Sequence, residues 1–150
     1  NERWKEAVKL TWKDTTEIDF ITELQDLGKR DLPYDCDEYV IQVLKKCGRY
    51  VTELKIGSPA SSMVLRYIRR CSNLNVLVMD FISYKDAPSG ILQNMKELWH
   101  LQISGVRPDF RVPALANVST SNLMFLELSG SIMCDLNDDS YSPEPSDLFK

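Results

Sequence analysis

The sequence predicts an α/β repeat array, with a parallel sheet on one side and return helices on the other. Three observations predict it. The pattern apolar-x-x-apolar-x-apolar occurs four times. Its copies are almost evenly spaced. The segments between them carry apolar residues at helical intervals.

The four copies are Val51-Thr-Glu-Leu54-Lys-Ile56, Leu74-Asn-Val-Leu77-Val-Met79, Leu98-Trp-His-Leu101-Gln-Ile103 and Leu123-Met-Phe-Leu126-Glu-Leu128. Their central leucines are 23, 24 and 25 residues apart. A weaker fifth copy ends in Ile18-Asp-Phe20, and its predicted strand covers residues 17–20. Spacings of about 20–29 residues with L-x-x-L-x-L are the leucine-rich-repeat signature. The expected fold is therefore a leucine-rich-repeat solenoid, a curved parallel sheet with helices on the convex side. One such unit cannot bury its own apolar face, so units stack.

The return segments follow in order. Residues 22–36 hold Gly28, Pro33 and three aspartates and read as a loop. Residues 37–47 read as a helix with Asp37 as N-cap, Val40, Val43, Leu44 and Cys47 on one face, and Gly48 as its stop. Residues 61–71 repeat this with Val64, Leu65, Ile68 and Cys71. A shorter helix is expected after Pro88, using Ile91, Leu92 and Met95. Residues 112–120 are polar and β-branched and give no helix prediction. Cys47, Cys71 and Met95 fall 24 residues apart, which marks them as core positions. With no CxxC and a single histidine, a Cys/His zinc site is not expected, nor is any cofactor. The four cysteines read as reduced thiols, with a disulfide pair the alternative.

Ahead of the first strand, Trp4, Ala7, Val8 and Trp12 recur at helical spacing. The run Asn1-Glu-Arg-Trp-Lys-Glu-Ala-Val-Lys-Leu-Thr-Trp-Lys-Asp14 resembles the closing helix of an F-box, whose common form is V-C-(K/R)-R-W-x-x-(A/L) followed by a second tryptophan and a hydrophobic strand. The helix-terminal cysteines resemble cysteine-containing leucine-rich repeats, so the chain to about Gly130 resembles an F-box/leucine-rich-repeat protein. The usual Leu-Pro opening and adaptor-binding helices of the F-box are absent from these residues. An upstream segment carrying them is expected. The resemblance implies the substrate-recognition subunit of an SCF-type ubiquitin ligase, with a protein substrate on the concave face and the Skp adaptor and cullin held through the upstream F-box. The domain reading is 1–14 as the end of an F-box-like helix region, 15–134 as the repeat domain, and 135–150 as an acidic tail or truncated repeat.

Charge excludes several classes. The net charge is −4, and residues 135–150 supply all of it, leaving residues 1–134 neutral. No basic patch suited to a phosphate backbone is visible, so no nucleic acid is expected. No apolar run nears the roughly 20 residues of a membrane span. The expected setting is cytoplasmic or nuclear.

The repeat register also predicts a binding face. One outward row is Glu17, Glu53, Val76, His100 and Phe125. The next is Asp19, Lys55, Val78, Gln102 and Glu127. The third is Ile21, Gly57, Asp80, Ser104 and Ser129. The partner-binding candidates are Glu53, Lys55, Val76, Val78, Asp80, His100, Gln102, Phe125 and Glu127. Val76, Val78 and Phe125 are apolar at positions expected to be exposed, which marks a contact surface. The competing reading is a slipped register near the end, or a tail covering the patch. No motif pairs His100 with a nucleophile or an acid, so no enzyme is expected. The functional alternatives are a leucine-rich-repeat scaffold or assembly factor without a ligase link, and a small hydrolase using His100.

Overall fold

The structure, a computed structural model, describes residues 12–28, 35–93, 95–105 and 122–130. Residues 1–11, 112–120 and 135–150 lie outside them, and so do the expectations that fall there: most of the tryptophan-bearing helix, the fourth return segment and the acidic tail.

Five strands form one all-parallel sheet in chain order: β1 (Glu17–Asp19), β2 (Glu53–Gly57), β3 (Val76–Asp80), β4 (His100–Ser104) and β5 (Phe125–Ser129). The register aligns Ile18, Leu54, Leu77, Leu101 and Leu126 across the sheet. Leu54, Leu77 and Leu101 are fully buried, as are Ile56, Met79 and Ile103 one step further along each strand. Burying each such side chain contributes about 1.5–3 kcal/mol. Leu126 departs from its row, being 38 % exposed on β5, the last strand among the described residues.

The residue before each strand carries the stacking. Its carbonyl accepts two N–H groups from the next unit. Thr16 O receives Thr52 and Glu53 at 2.8 and 3.1 Å, and Thr52 O receives Asn75 and Val76 at 2.7 and 3.1 Å. Asn75 O receives Trp99 and His100, and Trp99 O receives Met124 and Phe125. Side chains repeat the connection at a 24-residue step. Ser61 donates to the Asp37 carboxylate, the Ile82 N–H to Ser58 Oγ, the Asp86 N–H to Ser62 Oγ, and Asn73 Nδ2 to the Arg49 carbonyl.

The covering layer departs from expectation in several places. Residues 22–36 are not all loop. Helix α1 spans Phe20–Gly28, so β1 stops at Asp19 and Ile21 sits on a helix instead of the third outward row. Phe20 and Leu24 are buried and Leu27 partly so, a helical stripe at i, i+4, i+7. Helix α2 spans Cys36–Cys47, and its N-cap is Asp35, whose Oδ1 accepts the Asp37 N–H at 2.9 Å. Asp37 is thereby released to hold Ser61 in the next unit. Gly48 keeps a right-handed conformation, and the chain continues as a short 3-10 turn over Gly48–Tyr50.

The second return segment is a 3-10 helix, Ser62–Arg70, where an α-helix was expected. Its buried residues fit this tighter winding, with Val64 buried beside the main row. Ser62, Leu65, Ile68 and the following Cys71 are all buried, a period of three that matches three residues per turn. The expected third helix is a series of turns. Ile91, Leu92 and Met95 are buried as predicted, but Gly90 at φ +66° turns the chain left-handed where a helix would have to continue.

Cys47 and Cys71 are buried free thiols, and Cys47 Sγ lies 3.1 Å from the Val43 carbonyl, one turn back. Burial pushes their pKa values up, to about 11 and about 12. Cys36, half-buried, is raised by burial and then by its neighbours Asp37 and Asp35. Iodoacetamide at pH 8 should therefore label Cys36 before Cys47 and Cys71 in the native chain, and all three at similar rates in urea. Peptide mass mapping over time checks this.

Gly57 is a second packing constraint. A Cβ there would sit 2.1 Å from the Asp80 carbonyl oxygen on the neighbouring strand, whereas one on Gly90 would meet nothing nearer than 3.5 Å. Gly57→Ala should cost about 3 kcal/mol and Gly90→Ala roughly 1 kcal/mol, read from urea unfolding midpoints.

Candidate functional site

Alternation along each strand turns one face of the sheet outward. The register assembles that face as the sequence predicts: Glu17, Glu53, Val76, His100 and Phe125 are neighbours in one row, and Asp19, Lys55, Val78, Gln102 and Glu127 in the next. The third row holds Gly57, Asp80, Ser104 and Ser129, with Ser129 Oγ donating to Ser104 Oγ at 2.9 Å. Glu53, Lys55, Asp80, Phe125 and Glu127 are exposed. Val76, Val78, His100 and Gln102 are half-buried. The two valines are thus less open than their position implied, because longer side chains flank them on the adjacent strands, Glu53 and His100 beside Val76 and Lys55 and Gln102 beside Val78.

The face changes character along its length. On β1 and β2 it is charged. Between β1, β2 and β3 lies a depression of about 300 Å³, lined by Glu17, Asp19, Glu53, Lys55 and Val76 among others. Lys55 Nζ lies 3.7 Å from the Asp19 carboxylate. An exposed pair of this kind contributes little to stability.

Across β3 to β5 the first row, Val76, His100 and Phe125, is apolar and aromatic, while Asp80, Gln102 and Glu127 keep the neighbouring rows polar. The His100 ring lies against Phe125, centroids 4.4 Å apart and tilted by 38°. Trp99 meets the same ring edge-on at 5.5 Å. His100 Nε2 is enclosed and has no hydrogen-bond partner among the described residues. Trp99 is 43 % and Phe125 44 % exposed, so the cluster is a surface feature. Trp99 is an exposed aromatic that the outward rows missed, because it precedes the strand and pattern counting begins inside it.

Asp19 has a structural task that its row position hides. Its Oδ1 accepts the Thr22 N–H at 3.0 Å and its Oδ2 the Thr22 hydroxyl at 3.1 Å, which makes it the N-cap of α1. Burial raises the Asp19 carboxyl, but the Thr22 hydrogen bonds and Lys55 outweigh that and hold it below its ordinary value.

Other polar groups serve the frame. Tyr84 Oη is 2.6 Å from the Ser104 carbonyl, to which it donates, and it accepts the Phe81 N–H at 3.3 Å. It joins the loop after β3 to the end of β4. Burial drives its pKa well above the ordinary tyrosine value. Among the described residues no three His, Cys, Asp or Glu side chains converge as a metal site would require, and no helix is long and apolar enough to cross a membrane.

Comparison with models of protein families, with curated proteins and with solved structures returns no match for this chain.

Replacing the cap gives a pH-dependent test. A carboxylate whose pKa is lowered by folding stabilises the protein above its unfolded value of 3.8, and that stability is lost as pH falls through the folded value. Asp19→Ala should cost about 1 kcal/mol at pH 7, with the gap to the unmodified chain closing as pH drops below 3.8. Urea unfolding at pH 7 and at the lowest pH where the chain stays folded measures both.

Proposed function

We propose that this chain is a protein-interaction module, a leucine-rich-repeat solenoid whose curved sheet presents its outward, concave face to a protein partner. We propose further that it forms the substrate-recognition part of an SCF-type ubiquitin ligase, directing bound substrates to ubiquitination and proteasomal degradation. Such a module performs no bond chemistry. It raises the local concentration of a substrate beside the ubiquitin-charged enzyme.

The observation that carries the interaction reading is the outward face itself. Side chains from successive parallel strands meet in register and build an exposed aromatic cluster, Trp99–His100–Phe125, next to a charged depression. Exposed aromatic anchors with a polar surround are the usual energetic centre of an interface. His100 contacts two aromatic rings, an environment suited to contact more than to proton transfer. The ligase half rests on the F-box resemblance of residues 1–14, which would place Skp adaptor and cullin at the start of the array, away from the cluster.

Affinity capture of the full gene product, probed for the Skp adaptor and cullin, tests the ligase half. Recovery that depends on sequence upstream of Asn1 supports it. No recovery from a folded full-length product favours the scaffold reading. The double change Val76→Asp and Phe125→Asp should leave the circular-dichroism spectrum and adaptor recovery unchanged, and should weaken substrate binding at least roughly tenfold. Unchanged substrate binding would discard the face as the interaction surface.

A further inference from the structure

The outward strand positions are acidic in a way that the even charge balance of residues 1–134 hides. Among residues 1–134 acids and bases are equal in number. Yet the outward strand positions carry five carboxylates, Glu17, Asp19, Glu53, Asp80 and Glu127, against one cation, Lys55. That cation is already beside Asp19. Glu17, Glu53 and Glu127 have no cationic partner among the described residues. Other exposed bases lie off this face, among them Lys45, Lys46 and Arg49 at the end of α2, and Arg66, Arg69 and Arg70 on the 3-10 helix. Two of these sit over tyrosine rings of the same layer, Lys45 over Tyr67 and Arg49 over Tyr50.

We infer that the outward face takes an extended basic segment of its protein partner, reading one Lys or Arg side chain at Glu17 and Glu53 and one apolar side chain at the Val76–His100–Phe125 strip. This rests on the interaction reading above and names the chemistry of the partner.

The geometry sets the spacing of those two side chains. Neighbouring strands are about 4.8 Å apart, so Glu53 on β2 and Phe125 on β5 are separated by roughly 14 Å. An extended chain covers that distance in about four residues. A segment running across the strands therefore places a cation over the charged depression while an apolar residue about four positions away packs on the aromatic strip. Its direction is set by that row, with Glu17 and Glu53 at the β1–β2 end and His100 and Phe125 at the β4–β5 end. An acidic segment, or the phosphates of a nucleic acid, would meet like charge at Glu17 and Glu53.

Random 12-residue peptides displayed on phage and selected on the 150-residue chain test this directly. The expected consensus is a Lys or Arg with Leu, Met, Phe or Trp three to five positions away. A synthetic peptide of that consensus should bind more weakly as salt rises. It should lose about tenfold in affinity to the double variant Glu17→Lys, Glu53→Lys, and a similar factor to Phe125→Asp. Circular dichroism and thermal unfolding of each variant separate lost contact from lost fold. Enriched peptides without a basic residue that still depend on Phe125 would overturn the charge specificity and leave the interaction reading standing. Peptides indifferent to every face substitution would overturn both. Failure to enrich any peptide would overturn the extended-segment proposal alone, because capture of the adaptor and of a folded substrate is a separate measurement.

Discussion

The carbonyl that precedes each strand is the contact on which the rest depends. Thr16, Thr52, Asn75 and Trp99 each receive two amide protons from the following unit. A lone parallel strand leaves its amides and carbonyls open, and burying them unpaired costs several times what each bond contributes. A unit therefore gains little until its neighbour is seated. Once it is, the translation from one unit to the next has very little freedom. Leu54, Leu77 and Leu101 stack because the backbone has already aligned them, and the outward rows follow from the same alignment.

That constraint reaches the site through glycine and serine as much as through the apolar residues. Gly57 lets the β2 backbone approach the Asp80 carbonyl, where any side chain would intrude. Ser58 and Ser62 each receive an amide from the following unit, and Ser61 donates to the Asp37 carboxylate of the preceding one. These small polar groups satisfy backbone that the turns leave open, so the return segments pack closely without forming long helices. The bases at the ends of α2 and of the 3-10 helix face exposed carbonyls, which favour positive charge there.

Where sequence reading went astray, a local signal was weighed without its tertiary partner. Gly28 and the aspartates of residues 22–36 read as breakers, yet Asp19 caps a helix that ends only at Gly28. Asp37 reads as an N-cap, yet Asp35 takes that task and Asp37 is drawn to Ser61, 24 residues on. The Val64, Leu65 and Ile68 stripe fits both 3.6 and 3.0 residues per turn over so short a run. Only the burial of Ser62 beside Leu65 and Ile68 distinguishes them. Ile21 belonged to an outward row by counting and to α1 by capping, and the cap prevailed.

Sequence alone determined the unit length, the sheet positions, which residues of each strand face in and which face out, and the core places of Cys47, Cys71 and Met95. It could do so because period-two alternation inside a fixed spacing leaves one register that buries Leu54, Leu77 and Leu101 together. Tertiary structure alone decided the helical type of each return segment, the capping residues and the grouping of Trp99 with His100 and Phe125. Those depend on contacts between residues about 24 positions apart, whose side chains compete for the same backbone groups. No local pattern records which of them wins.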